Sequence, residues 1–224
     1  MAYVAACQKL LFESNPNMRG QKKKVAFMPP YLINRISFEG KYRYNYVKKW
    51  GRKFLEGRSP LEYDAIVFFC NVGDMHWQLV VLYPQHGRIE TMDSYRFTQF
   101  GSNLDAVYRW LYDEVHTHFP EQLSQIPAFV AIAGRNYGLQ YNGYDCGVFC
   151  ILWALALRNA HNLRASVSEG EVTKARQRLL LFLLGDKNSV SNFKETLIQP
   201  DIDLSELDLF GQDGDNTNDT KDIN

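Results

Sequence analysis

The sequence predicts an α+β domain, a central sheet flanked by helices, on three observations. Between Ala65 and Met92 the apolar residues are β-branched and aromatic and run without the helical period, which is strand patterning. On either side of that stretch, at Tyr46, Val47, Trp50, Phe54 and again at Leu104, Val107, Trp110, Leu111, Val115, they recur at helical spacing. A polar, glycine-marked turn then leads into Val148–Leu157, an apolar run long enough to be a buried helix.

From the N-terminus, Ala2–Phe12 reads as a short amphipathic helix that ends before Ser14-Asn15-Pro16-Asn17. Lys22-Lys23-Lys24 has the composition of an import signal or a patch for an acidic partner, and also that of a solvated loop. Val25–Met28 leads into a short helix over Pro29–Ile36, with proline in its first turn. A second is expected over Tyr44–Leu55, weakened by Gly51. Ala65–Cys70 is a strand covered on both faces. Trp77–Tyr83 and Arg88–Met92 follow, joined by Pro84-Gln85-His86-Gly87 as an antiparallel hairpin. Ser102 can cap a helix through about Phe119, and Pro127–Ala133 is a fourth strand. Val172–Leu184 is a leucine-rich helix. Residues 1–200 are read as one domain with its core at about 25–185, and residues 201–224 as an acidic tail, partly disordered.

Composition narrows the function classes. Lysine plus arginine and aspartate plus glutamate balance at 25 each, so no global field draws the chain to nucleic acid or to an anionic membrane. The four cysteines, Cys7, Cys70, Cys146 and Cys150, are too few and too irregular for a disulfide framework or a zinc site. No metal and no cofactor are expected. Reduced thiols and the lack of a signal-peptide pattern at Met1–Lys9 place the chain in a reducing compartment, nucleus or cytoplasm. It is expected to act as a monomer.

Chemistry converges on Leu139–Cys150. Cys146 falls at a helix N-terminus, where unpaired N–H groups and the macrodipole favour the thiolate, the nucleophilic form. Gly147 leaves its flank open, and Gln140 offers an amide N–H to a developing oxyanion if the turn folds back. The hairpin supplies a base. If Tyr83 pairs with Arg88, Asp93 falls opposite Gln78 with His76 two residues away on the same face. Such diagonal neighbours lie about 7–8 Å apart at the backbone, within reach of an aspartate and an imidazole. A one-residue slip would separate them. Of the other histidines, His86 sits in a turn, His116 and His118 at a helix end and His161 past the nucleophile helix, none with a comparably placed carboxylate.

His76-Trp77, Asp93-Ser94 and Gln140-x-Asn142-Gly143-Tyr144-Asp145-Cys146-Gly147, in that order and spacing, resemble the Ulp1-type cysteine proteases, a family in one clan with adenovirus protease that includes SUMO-specific and NEDD8-specific enzymes. The resemblance covers about Val25 to Leu157. It implies a papain-like α+β fold of the Ulp1/adenain type with a central mixed sheet. It implies Cys146 as nucleophile, His76 as general base, Asp93 as its orienter, Gln140 as oxyanion donor, and Trp77 as one wall of a tunnel for a Gly-Gly tail. The partner so implied is a ubiquitin-like modifier (SUMO first, then ubiquitin or NEDD8) and its conjugates. Family members carry a W-L-N-D-type segment whose tryptophan closes the tunnel, and Met1–Gln21 has no match. Phe27 or Tyr31 then covers the tail, or the modifier differs, or the chain is trimmed. Two rivals stand beside this reading: acyl transfer from acetyl-CoA by the same thiol, with Lys22–Lys24 as part of a nucleotide site, and a non-catalytic modifier-binding domain.

Overall fold

Five strands form one mixed sheet in the order β1-β2-β3-β4-β5 in the computed structural model of the protein, which describes residues 24–37, 40–95, 102–133, 138–158 and 169–183. They are β1 (Val25–Phe27), β2 (Ala65–Val72), β3 (His76–Tyr83), β4 (Arg88–Met92) and β5 (Val130–Ala133). The outer pairs, β1 on β2 and β4 on β5, are parallel, and the two inner pairs are antiparallel. The helix expected over Ala2–Phe12, the Lys22-Lys23 part of the basic run and the 201–224 tail lie outside the described residues.

The helices are α1 (Leu32–Ile36), α2 (Trp50–Phe54), α3 (Ser102–His118), α4 (Cys146–Arg158) and α5 (Glu169–Leu183). Strand alternation sorts them into two layers. Val67, Phe69, Leu79, Val81 and Met92 pack against α4 and α5, while Ile66, Phe68, Val80, Leu82 and Ile89 pack against α1, α2 and α3. This is why Ala65–Cys70 reads as an unbroken apolar run, because both of its faces are covered. Phe68 meets Trp110 of α3 edge-on, with ring centroids 5.2 Å apart. Burying such a side chain stabilises by about 1.5–3 kcal/mol.

The hairpin has the expected register, Tyr83 opposite Arg88 through to Leu79 opposite Met92. Gly87, at φ 57°, closes it in the left-handed region. A Cβ there would lie 2.2 Å from the Ala128 carbonyl oxygen, so the close approach of the chain entering β5 requires glycine. The chain departs from expectation in four places, the first being the helix expected over Pro29–Ile36, which begins only at Leu32 with both prolines ahead of it. Val25–Phe27 is a strand, because its backbone pairs with β2. Tyr44–Leu55 is a 3-10 turn at Tyr44–Tyr46 followed by the five-residue α2. The fourth strand is shorter than Pro127–Ala133 and begins at Val130.

Helix α4 is apolar nearly all round and buried from Cys146 to Leu157 save Gly147 and Ala156, held between the sheet and α5. A helix with no polar face belongs to the interior. Its N-terminus is therefore a fixed point, and it opens at the end of the sheet where β3 begins and β4 ends.

Candidate active site

The first turn of α4 is set by Asp145, whose carbonyl accepts from Phe149 N–H at 3.0 Å. The main-chain N–H groups of Cys146, Gly147 and Val148 are thus left without a helical carbonyl. Cys146 is 5% exposed. Burial alone would raise its pKa, but His76 and the Trp77 and Gly147 main-chain N–H groups outweigh burial and bring it below the ordinary thiol value.

Across from it, His76 Nε2 lies 2.8 Å from Asp93 Oδ1. Burial pushes the imidazole toward the neutral form, yet Asp93 and Cys146 overrule it and lift its pKa to about 9. With Nε2 committed to Asp93, Nδ1, buried and without a hydrogen-bond partner, is the nitrogen left to interact with Cys146. This geometry shifts both groups toward their charged forms, thiolate and imidazolium.

Asp93 is held at both oxygens. Oδ1 also accepts from Tyr95 N–H at 2.7 Å, and Oδ2 accepts from the side-chain amide of buried Gln78. Gln78 sits where the hairpin register puts it, so the expected juxtaposition of residues 76, 78 and 93 is observed.

Gln140 is buried, and its amide has a determined orientation. Ser94 Oγ donates to its Oε1 at 2.6 Å, leaving the Nε2 end to donate to the Asn142 carbonyl at 2.6 Å. An amide nitrogen carries two hydrogens, so one remains for another acceptor. The Gln140 main-chain N–H bonds Ser94 O at 3.1 Å, stitching this segment to the residue after Asp93. Asn142 shapes the turn: its Oδ1 accepts from Tyr144 and Asp145 N–H, and its Nδ2 donates to Asp145 Oδ2 at 2.8 Å. Arg176 of α5 reaches that same oxygen at 2.9 Å and spreads over the Tyr144 ring.

Trp77 is half-buried beside the start of α4, and a Cβ on Gly147 would come within 3.8 Å of its Cδ1. Of the two residues considered as a second tunnel wall, Phe27 is buried in the core beneath α4 and Tyr31 rests edge-on against Trp50. His118 corrects one expectation: Glu114 lies 3.8 Å from its Nε2, one helical turn earlier. Lys24, the described member of the basic run, has its main-chain N–H on the Asp64 carboxylate.

The structure thus brings together His76, Trp77, Asp93, Gln140 and Cys146, each singled out in the sequence. Reading the sequence missed the supports: Gln78, Ser94, Tyr95, Asn142, Asp145 and Arg176. Gln78 had a signal, since the register that pairs it with Asp93 also puts its amide on the carboxylate. Arg176 had none, being one cation among several on a helix remote in sequence. Among the described residues no His, Cys, Asp and Glu group forms a metal site, and no helix is long and apolar enough to cross a membrane.

Residues 1–181 match the Ulp1 protease family, C-terminal catalytic domain. An Arabidopsis thaliana protein named "Putative ubiquitin-like-specific protease 1B" is 32% identical over 126 residues, 54% of this chain and 35% of that one, so the match spans about a third of that relative. Among solved structures, the Ulp1 protease domain in complex with Smt3, the yeast ortholog of SUMO, superposes with a TM-score of 0.60 at 17% identity, covering 82% of this chain and 75% of that one. A Chaetomium thermophilum Ulp1-like SUMO protease catalytic domain gives 0.60 at 20%, covering 82% and 70%. SUMO protease Ulp1 with its catalytic cysteine oxidised to a sulfinic acid gives 0.62 at 17%, covering 84% and 77%. At these identities the structural likeness concerns the fold, which is that of Ulp1 catalytic domains.

Proposed function

Since the chain belongs to the Ulp1 protease family, a family of cysteine proteases, we propose that it cleaves after the C-terminal Gly-Gly of a ubiquitin-like modifier, with SUMO the first candidate substrate. The observation that carries this reading is the 2.8 Å His76–Asp93 hydrogen bond beside buried Cys146 at the head of α4, an arrangement that draws the thiol pKa down and lifts the imidazole pKa to about 9. Cys146 thiolate adds to the glycine carbonyl. The oxyanion takes hydrogen bonds from the Cys146 main-chain N–H and from the free hydrogen on Gln140 Nε2. His76 passes its proton to the leaving lysine amine, or to a peptide amine during maturation, and leaves a thioester. Water deprotonated by the same imidazole then hydrolyses the thioester and restores the thiolate.

The steric case for a Gly-Gly tail rests on Trp77. An indole over the approach to Cys146 leaves a slot that side chains obstruct, and glycine passes. The SUMO preference is supported by the solved domains that share this fold, which include a SUMO protease and a protease domain in complex with Smt3. Modifier probes with a C-terminal electrophile test both steps. The SUMO probe is expected to label the wild-type protein and not Cys146→Ala. Labelling by NEDD8 or ubiquitin alone would reassign the modifier, and a protein that takes none of the three would overturn the reading.

A further inference from the structure

Tyr95 touches both halves of the site. Its main-chain N–H holds Asp93 Oδ1 at 2.7 Å, and its ring lies tilted by 38° against the His76 imidazole with centroids 4.9 Å apart. Its hydroxyl donates at 2.5 Å to the Asn142 carbonyl, the same oxygen that receives Gln140 Nε2. The side chain is only half-buried, so filling the core does not account for it.

We propose that Tyr95 is a positioning residue that ties the base to the oxyanion donor, an inference that rests on the roles given above to His76, Gln140 and Cys146. A carbonyl oxygen has two lone pairs. With Tyr95 Oη on one and Gln140 Nε2 on the other, the Asn142 carbonyl is fixed in direction, and with it the plane of the Gln140 amide. The second amide hydrogen then points along one line. On the other side, the phenol ring against the imidazole face limits rotation of His76 about its Asp93 bond and keeps Nδ1 toward sulfur. Hydrogen bonds to an oxyanion are strong only when aimed in advance, so a residue that sets the angle between amide and imidazole acts on the transition state without touching the substrate.

The experiment compares Tyr95→Phe, Tyr95→Leu, Gln140→Ala and the Tyr95→Phe/Gln140→Ala double variant with wild type, using a fluorogenic C-terminal amide of SUMO and, separately, the pH dependence of Cys146 alkylation by iodoacetamide. Tyr95→Phe keeps ring and backbone and loses the hydroxyl. Its kcat is expected to fall about five- to tenfold with KM unchanged and the alkylation profile unmoved. In the Gln140→Ala background it should cost nothing further, because the hydroxyl acts through that amide. Tyr95→Leu also removes the ring, and the pH at which Cys146 becomes reactive should shift. Full kcat in Tyr95→Phe, a raised KM at constant kcat, or an undiminished loss on top of Gln140→Ala would each overturn the proposal. A wild-type protein that alkylates normally but leaves the SUMO amide intact would count against that substrate instead. The alkylation of Tyr95→Leu still judges the ring in that case, and an unshifted profile rejects its role.

Discussion

At the end of the sheet, burial acts on Cys146 and is overruled; behind the sheet, under α3, it acts on Glu114 and prevails. Cys146 and His76 lie 5% and 13% exposed and each would be neutral if isolated, but each supplies the charge the other needs, with Asp93 behind. Glu114 is fully buried beside Gly51 of α2. Its Oε2 accepts from Tyr44 Oη at 2.7 Å, its Oε1 has no hydrogen bond, and burial raises its pKa. Next to it Tyr42 donates to Asp113 at 2.7 Å. One cluster separates charge and the other suppresses it. The difference lies in the hydrogen-bonded partner: the imidazole at the first bonds a carboxylate, whereas Glu114 at the second takes its hydrogen bond from a phenol, and the His118 imidazole 3.8 Å away is turned to the Lys48 carbonyl.

The sharpest way to break the comparison is to make the first cluster resemble the second. Asp93→Asn keeps the shape of the orienter and removes its charge. Burial then weighs more heavily on His76, whose pKa should drop from about 9, so the high-pH limb of kcat/KM moves down. The thiolate loses part of its counter-ion, and the low-pH limb moves up. The active window narrows from both sides, and kcat is expected to fall about 10²–10⁴-fold. A pH–rate profile that keeps its upper limb near 9 would mean that something other than Asp93 raises the imidazole.

An intermediate effect is expected behind the sheet. A Cβ on Gly51 would stand 2.1 Å from Glu114 Oε1, so α2 comes this close to the Glu114 carboxylate only because residue 51 has no side chain. Gly51→Ala should destabilise by about 1–3 kcal/mol, read as a Tm several degrees lower, with kcat per folded molecule unchanged. Unchanged Tm would show that Glu114 can move aside and that the second cluster is loosely held.

These two regions were not equally legible. The candidate active site is local in sequence: a hairpin turn sets the register, and the register sets His76, Gln78 and Asp93. A polar turn before an apolar run marks Cys146. The strand at Val25–Phe27 left no such trace, since three residues show no period and its partner in β2 is about 40 residues away. The same holds for Tyr44 with Glu114, which lie 70 residues apart. Gly51 was read as a helix weakness when its reason is the carboxylate above it. Hydrogen bonds among Ser94, Tyr95, Asn142 and Gln140 are invisible in the sequence because they join two turns 46 or 47 residues apart, or run to main-chain carbonyls that carry no sequence signal.

The smallest effect sharpens the comparison by removing the suppressed charge. Burial holds the Glu114 pKa above its unfolded value, so above that unfolded value the native state binds a proton that the unfolded state has released, and stability falls as pH rises through the raised native pKa. Glu114→Gln keeps an oxygen for Tyr44 and cannot ionise. Its Tm should exceed that of wild type at neutral pH by about 1–2 °C, and the two should converge below the ordinary carboxylate range, where both side chains are neutral. A variant less stable than wild type at neutral pH, by an amount that vanishes in acid, would reverse the sign. Glu114 would then be held ionised by Arg52 and His118, and the second cluster would work by charge pairing as the first does.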